Sequence, residues 1–307
     1  MKLLYPALLA ATLPLGFAAP AFADETAPAA ATTQQESVRD HIRVQMHGNA
    51  GPVVVLIPGM STPGAVWDDT VAALQGDHRL LVLTLRGFDG ERGTANESEG
   101  AIDGVVADLS AELAGRGIGQ ATIVGHSLGG LIAMKFALAH AGQAKNLVIL
   151  DSLPFFGMVF SPDMTLETVE PRAVYMRDMI VTGAERMREA GLANTTSGAG
   201  AAGMSIDEAT RVTIANWSLD AEPLAVAQFV YEDTMTDLRQ DIAALTMPVT
   251  VVHMANGEHA EMARERFATD YAALPGVRLV PVDRSLHFVQ LDRPEVVLAE
   301  IRRATGS

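Results

Sequence analysis

Short apolar runs recur along the chain between segments of helix length, and this alternation restricts the fold more than any other feature. The runs lie at residues 43–46, 53–57, 80–85, 121–124, 147–150, 249–252 and 277–282. Continuous apolar runs of strand length are typical of strands buried on both faces, as in parallel sheets covered by helices. The pattern therefore predicts an α/β fold with a mostly parallel central sheet flanked by helices. In such sheets, ligands bind at the carboxyl ends of the strands.

One long interval, between Leu150 and Pro248, contains helical patterns but no convincing strand. Helices are indicated at residues 168–187 and 221–245, a capping box at 205–208, and a flexible connection at 193–203. Helices inserted between two core strands would lie over the strand ends as a cap. We therefore predict a core formed by residues 37–151 and 247–307, and a helical cap formed by residues 152–246.

Residues 1–23 have the pattern of a secretory signal peptide. Lys2 gives a positive start, an apolar run follows it, and Ala21-Phe22-Ala23 is a small-x-small end. A membrane anchor is the alternative, but the prolines within the run and its short apolar core favour cleavage near Ala23. Residues 24–36, rich in Ala, Thr, Gln and Pro, are expected to be a disordered linker. We therefore expect an exported protein, periplasmic or secreted, with no stable membrane span.

Charge and cysteine content exclude several classes of protein. With 22 Lys and Arg against 37 Asp and Glu, the chain has a formal net charge of −15, whereas nucleic-acid binding needs clustered cations. The absence of cysteine excludes disulfides, thiolate metal sites and cysteine nucleophiles. His253 and His259 flank Glu258, but their spacing matches no strong metal motif. We therefore expect no nucleic-acid partner, no bound metal and no other cofactor.

The strongest motif is Gly125-His126-Ser127-Leu128-Gly129-Gly130, which directly follows the run at 121–124 and opens a helical pattern at 131–140. A serine on a sharp turn from strand to helix needs glycines on both sides, because a Cβ atom there would meet the tight backbone. Such a turn exposes the Ser127 hydroxyl above the sheet. It also leaves the Leu128 N–H, at the helix start, free to stabilise an oxyanion.

With this motif, the sequence resembles the α/β-hydrolase superfamily, in its serine esterase and lipase branch with a helical cap. The resemblance covers about residues 38–305. Ile57-Pro58-Gly59-Met60 resembles the oxyanion loop of the family, with Pro58 in place of the common histidine. The resemblance implies that the backbone N–H of Met60 is the second oxyanion donor, beside Leu128.

The order of catalytic residues in this family, serine then acid then histidine, points to His287 as the base. It is the last of the eight histidines and follows the final apolar run at 277–282. His126, inside the serine motif, is expected to pack or hydrogen-bond locally. The sequence around the remaining histidines gives no reason to expect a catalytic role for them.

The acid of this arrangement stays open between three residues. The resemblance places it after the run at 249–252, where this chain has no aspartate but has Asn256 and Glu258. Glu258, one methylene longer than aspartate, could reach His287. Asp151, directly after the preceding run, occupies a position that serves as the acid in some members of the fold. Asn256 could orient the imidazole but would stabilise its charged form less.

These features together predict an exported, cofactor-independent serine hydrolase of the carboxylesterase type. We expect its partner to be a small-molecule ester, small to medium in size and apolar, because six of the 14 methionines lie between Met158 and Met204 and three phenylalanines lie near the start of the cap. An acyltransferase or perhydrolase could use the same residues. A non-catalytic binding protein on a hydrolase fold is the alternative from another class.

Overall fold

The computed structural model describes residues 35–161, 163–191 and 194–307. The predicted signal peptide at residues 1–23 lies outside this part of the chain. The predicted linker also lies outside it, except for its last two residues. Those two, Gln35 and Glu36, are not linker but belong to the first strand of the sheet.

Eight strands form one sheet in the order β1-β2-β4-β3-β5-β6-β7-β8. Strands β1 and β2 pair antiparallel, as do β2 and β4, and all other neighbours are parallel. This confirms the predicted α/β class. The strands are β1 (Gln35–Val38), β2 (Ile42–His47), β3 (Val53–Ile57), β4 (Arg79–Leu85), β5 (Ala121–His126), β6 (Ala144–Leu150), β7 (Val249–Met254) and β8 (Arg278–Val282).

Helices cover both faces of the sheet and fill the interval between β6 and β7. They are α1 (Asp68–Leu74), α2 (Ala101–Gly115), α3 (Leu128–Ala139), α4 (Leu166–Glu189), α5 (Glu208–Asp220), α6 (Pro223–Met235), α7 (Ala260–Asp270), α8 (Val289–Asp292) and α9 (Pro294–Thr305). Within the described ranges, none of them combines the length and the apolarity needed to cross a bilayer.

The core has two layers because alternate residues of each strand point to opposite faces. In β3, Val55 and Ile57 pack with the apolar residues of α2 and α3. Val54 and Leu56 pack on the other face, with those of α1 and α9. Every residue of β3 is buried, which is the physical reason for a continuous apolar run instead of an alternating one.

The interval between β6 and β7 contains α4, α5 and α6. Helix α6 is held against the core by an aromatic contact and by hydrogen bonds. The Phe229 ring packs edge-on against Phe88, with ring centroids 5.2 Å apart. The Glu232 carboxylate accepts hydrogen bonds at 2.7, 3.0 and 2.8 Å from the backbone N–H groups that begin α2, those of residues 100, 101 and 102. An acidic side chain at a helix N-terminus satisfies these free donors and the positive end of the helix dipole.

The capping box predicted at residues 205–208 is not formed. Helix α5 begins at Glu208, and its N-cap is Asp207, whose side chain accepts from the N–H of Thr210 at 2.8 Å. The Ser205 hydroxyl instead donates to Asp292 at 2.6 Å. Ser205 therefore connects the cap to α8 and does not start a helix.

The helix predicted at residues 221–245 is divided. Helix α6 ends at Met235, and Thr236 is extended, with φ −98° and ψ 113°. Asp237 then forms an antiparallel bridge with Phe155, and a short 3-10 helix follows at Asp241–Ala244. Pairing with the start of the cap segment thus ends a helix that the apolar periodicity alone would continue.

Candidate active site

Ser127 lies on a sharp turn between β5 and α3, in a backbone conformation with φ 53° and ψ −123°. Such a conformation is strained for a residue with a side chain. The two flanking glycines make the turn possible. A Cβ atom on Gly125 would lie 2.1 Å from the carbonyl oxygen of Gly129, and one on Gly129 would lie 2.4 Å from that of Ile57. The turn therefore cannot accommodate a side chain at position 125 or 129, as the sequence predicts.

His287 lies in the loop between β8 and α8 and forms hydrogen bonds through both ring nitrogens. Its Nε2 is 3.0 Å from the Ser127 Oγ, and its Nδ1 is 2.7 Å from the Asp151 Oδ2. A carboxylate can only accept, so the imidazole proton is on Nδ1 and Nε2 is free to accept the serine proton. The three side chains thus form one hydrogen-bonded chain from Ser127 to Asp151.

Asp151 is the first residue after β6 and is itself fixed by the backbone of β7. Its Oδ1 accepts from the N–H of Met254 at 2.9 Å, and the residue is 9% exposed. Its backbone φ is 44°, a left-handed conformation that turns the chain sharply at the strand end. Both carboxylate oxygens therefore have a donor, and one of these donors is His287.

Glu258 and Asn256, the other candidates for the acid, lie elsewhere. Glu258 is exposed, on a 3-10 helix at Gly257–His259, and Asn256 is the residue before this helix, with no side-chain capping bond. The chain leaves the sheet after Ala255, whose N–H donates to Val282 at 2.8 Å. The structure brings Asp151 to the imidazole Nδ1, which leaves no free position there for Glu258.

The loop after β3 lies directly against the serine turn. A Cβ atom on Gly59 would lie 2.7 Å from the Nδ1 of His126 and 3.2 Å from the Cβ of Ser127. The next residue is Met60. Among the residues that the structure describes, the N–H groups of Met60 and Leu128 donate to no protein acceptor. Met60 lines one cavity that contains Ser127 and Leu128 lines another, so two backbone donors without a protein acceptor lie near the serine.

His126 supports the main chain of His287. Its ring is fully buried, 4.7 Å from the His287 ring, and its Nε2–H donates to the backbone oxygen of His287 at 3.0 Å. Burial, and after it the nearby charge of His287, hold the pKa of His126 well below its usual value. The imidazole is therefore neutral and has a structural contact with the site, in line with its expected local role.

His253, considered above for a metal site, is also held by local contacts. Its Nδ1–H donates to the backbone oxygen of Met254 at 3.0 Å, and its ring stacks on Phe267 at 4.1 Å. Across residues 35–161, 163–191 and 194–307, no group of three or more His, Asp or Glu side chains is arranged to hold a metal ion.

Two cavities meet at Ser127, His287 and Met204. The first, of about 590 Å³, is here called the loop-side cavity because it is lined by the 194–201 segment, together with Met60 and residues of α5. The second, of about 500 Å³, is called the α6-side cavity. Its apolar lining consists of Leu128, Leu153, Phe156, Val159, Met254, Met262, Ala263 and Phe267. Ser127 thus lies where the two cavities adjoin.

Asp233, on α6, is a further acidic residue beside the site and is absent from the sequence-based candidates. It lines the α6-side cavity and is only 9% exposed. Burial raises the pKa of Asp233 to about 7, and the opposing effect of His287 is smaller. A signal for it exists in the sequence. Position 233 follows the buried Val226 and Phe229 by seven and four residues, so this aspartate occupies the buried face of a helix.

Comparison with known families and curated proteins shows similarity over most of the chain. Residues 54–300 match the model of the alpha/beta hydrolase family. A pimeloyl-(acyl-carrier protein) methyl ester esterase of Vibrio atlanticus is 37% identical over 112 residues, 36% of this chain and 41% of that protein. A putative carbamate hydrolase of Escherichia coli O157:H7 is 33% identical over 100 residues, 33% of this chain and 37% of that protein. The chain thus spans about two fifths of the length of the first relatives that it matches.

A longer match and the solved structures extend the similarity beyond this segment. A pimeloyl-(acyl-carrier protein) methyl ester esterase of Nitrosospira multiformis is 26% identical over 240 residues, 75% of this chain and 89% of that protein. A hydrolase from Pseudomonas aeruginosa superposes with a TM-score of 0.69 at 19% identity, covering 90% of this chain and 100% of that structure. An esterase from Exiguobacterium antarcticum superposes with a TM-score of 0.68 at 19% identity, covering 87% and 96%. At these identities the structures show a common fold.

Proposed function

Because the chain belongs to the alpha/beta hydrolase family, we propose that it is a serine hydrolase that cleaves carboxylic esters through an acyl-enzyme. One observation carries this proposal: His287 lies between Ser127 and Asp151, with hydrogen bonds of 3.0 and 2.7 Å. A serine hydroxyl is a weak nucleophile until an adjacent base accepts its proton, and the base works best when a third group holds it.

The proposed reaction has two steps with balanced proton transfers. The Ser127 Oγ attacks the ester carbonyl while its proton passes to the Nε2 of His287. The same proton then passes to the leaving alcohol as the carbon–oxygen bond breaks, which leaves the acyl group on Ser127. Water, deprotonated by His287, attacks this acyl group and releases the acid, and the proton returns to Ser127.

In this proposal, the N–H groups of Met60 and Leu128 stabilise the oxyanion. Both lie beside Ser127, and neither donates to an acceptor within the described residues. Free donors that already point to the developing charge lower the barrier without any rearrangement at the moment of reaction. The donors belong to the backbone, so the Met60 side chain need only shape the cavity wall.

We assign the acid to Asp151 rather than to Glu258. A buried carboxylate that accepts from Nδ1 holds the imidazole in the productive tautomer and stabilises its charged form. Asp151 has this contact and is held from its other side by Met254, whereas Glu258 is exposed on a separate turn. The complete chain of hydrogen bonds favours an enzyme over a non-catalytic binding protein.

Small to medium apolar esters are the proposed substrate class. The two cavities beside Ser127 have about 590 and 500 Å³, which suits one small group on each side of an ester bond. The names of two relatives, both methyl ester esterases, support ester hydrolysis, and that of a putative carbamate hydrolase supports hydrolysis in a more general sense.

Labelling and turnover of the Ser127→Ala variant test the proposal. We expect the wild-type protein to react with a fluorophosphonate probe and to hydrolyse p-nitrophenyl butyrate, and the variant to do neither. Ser98→Ala, at an exposed serine outside the site, is the control and should behave as wild type. A wild-type protein that is neither labelled nor active on any p-nitrophenyl ester would contradict the proposal. Labelling that persists in Ser127→Ala would assign the nucleophile elsewhere.

A further inference from the structure

The α6-side cavity contains a largely buried carboxyl, that of Asp233, which neither the fold nor the proposed mechanism uses. Asp233 is 9% exposed and lines this cavity together with Ser127 and His287. Burial raises the pKa of its carboxyl, and the charge of His287 lowers it by less. Within the described ranges, no side chain or backbone group forms a hydrogen bond with this carboxyl. A largely buried carboxyl without a protein partner is costly, because it loses most of its contact with water and gains no hydrogen bond from the protein in return. A carboxyl of this kind beside a reactive serine indicates that a bound ligand supplies the missing hydrogen bond.

The charges around the cavity restrict what this ligand can be. The imidazole of His287 becomes positive when it accepts the serine proton, so a cationic group beside it would oppose the reaction. A substrate carboxylate would lie near both Asp233 and Asp151. Arg266 and His259 also line this cavity. The Nε of Arg266 donates to the buried Asp270 at 2.7 Å, while its Nη2 has no partner among the described residues. Beside Asp233 itself, where the carboxylate of Asp151 opposes an anion and the charged imidazole of His287 opposes a cation, a neutral group is favoured over either charged one.

A hydroxyl is the neutral group that suits this aspartate best. It can donate a hydrogen bond to a carboxylate, and it can accept one from a protonated carboxyl. Burial places the pKa of Asp233 at about 7, so both forms are present near neutral pH. A hydroxyl is matched to each of them, whereas a carbonyl or an ether can only accept.

We propose that the α6-side cavity binds a hydroxyl-bearing part of the ester substrate and that Asp233 determines this specificity by hydrogen-bonding the hydroxyl. The proposal rests on the proposed ester hydrolysis and adds a substrate class to it. The apolar walls of the cavity, such as Leu153 and Phe156, would surround the carbon chain. A hydroxylated ester would thus be preferred to the ester in which a methyl group replaces the hydroxyl.

The experiment compares pairs of esters that differ only in this replacement. The acyl pair is methyl 3-hydroxybutanoate against methyl 3-methylbutanoate, and the alcohol pair is 4-hydroxybutyl acetate against pentyl acetate. In the wild-type protein we expect kcat/KM to favour the hydroxylated member of at least one pair by about 10- to 100-fold, the effect of one hydrogen bond to a buried charged group. In Asp233→Leu the ratio should fall to about 1. In Asp233→Asn, which keeps a polar group of the same shape, an intermediate ratio is expected.

A control variant and a binding measurement make the outcome decisive. Asp241→Asn, at an exposed aspartate of the same chain segment, should keep the wild-type ratio. Binding of the same pairs to Ser127→Ala, with and without Asp233→Leu, gives the preference by calorimetry without turnover. No preference in either pair, a preference that persists in Asp233→Leu, or an equal loss for both members of a pair would overturn the proposal. If the protein hydrolyses none of these esters but still binds the hydroxylated members more tightly, and this preference depends on Asp233, only the proposed ester hydrolysis is contradicted.

Discussion

Burial of Asp233 should make the stability of the folded protein depend on pH in a way that can be calculated. Its pKa is raised from 3.8 to about 7 in the folded chain and returns to about 3.9 in the unfolded chain. Folding therefore disfavours the ionised form. The cost is nearly absent below about pH 4, grows as the pH rises, and is complete above about pH 7. About three pKa units, at about 1.4 kcal/mol each, give a cost of about 4 kcal/mol.

The substitution Asp233→Asn removes this ionisation and keeps the shape of the side chain. Relative to wild type, the variant should gain less than about 1 kcal/mol of unfolding free energy at pH 4 and about 4 kcal/mol at pH 8 from this term. Any change in packing adds a constant to both values. Urea unfolding followed by far-UV circular dichroism, at several pH values between these limits, measures the difference. Because all other ionisable groups are shared, their contributions cancel when variant and wild type are compared at the same pH.

Asp241→Asn is the matched control, since Asp241 is exposed and its free-energy difference from wild type should not change with pH. A difference between Asp233→Asn and wild type that stays constant between about pH 5 and pH 8 would refute the argument. It would mean that the carboxyl of Asp233 ionises as easily in the folded chain as in the unfolded one. A difference that falls with rising pH would mean that a partner stabilises the carboxylate.

Three further predictions concern the acid, the cap and the N-terminus. Asp151→Asn should lower kcat on a short ester on the order of 10⁴-fold, and Glu258→Gln should leave it within about twofold of wild type; the reverse result would assign the acid to Glu258. Glu232→Ala removes the acceptor of three backbone N–H groups of α2 and should cost about 2 kcal/mol in urea unfolding, whereas the exposed Glu265→Ala should cost almost nothing. The predicted signal peptide implies that protein recovered from the periplasm or medium begins after Ala23 by N-terminal sequencing. A retained N-terminal segment would contradict cleavage, and protein found only in the cytoplasm would contradict export.

The sheet could be predicted because its central strands are buried on both faces. Burial on both faces demands apolar residues at consecutive positions, and β3, Val53–Ile57, is such a run. Strand β1 has no such requirement. It lies at the edge of the sheet, its residues are mostly exposed, and its sequence is polar. Backbone pairing with β2 forms this strand, and pairing of this kind leaves no signal in the local sequence.

The pairing of Ser127 with His287 could be predicted from sequence, whereas the choice among Glu258, Asp151 and Asn256 as the residue bound to the imidazole could not. The serine turn has a local steric requirement, which glycines on both sides reveal. His287 was indicated by its place after the last apolar run. The acid depends on which strand end approaches the imidazole across the sheet. Asp151 follows β6 and His287 follows β8, with β7 between them. The left-handed turn at Asp151 and the N–H of Met254 orient its carboxylate, and both are consequences of the folded sheet.

The sequence places Asp233 on the buried face of a helix but cannot place it beside the serine. Its position relative to Ser127 depends on the contacts that hold α6 against the core. Its neighbour Glu232 points away from the cavity and binds the start of α2, while Phe229 packs on Phe88. Neighbouring residues on a helix point in directions about 100° apart, so one helix turn both anchors the cap and lines the cavity. These contacts hold Asp233 in place without using its carboxyl oxygens. The cost of burying that carboxyl is therefore recovered when a ligand supplies the missing hydrogen bond, which joins the predicted pH dependence to the proposed specificity.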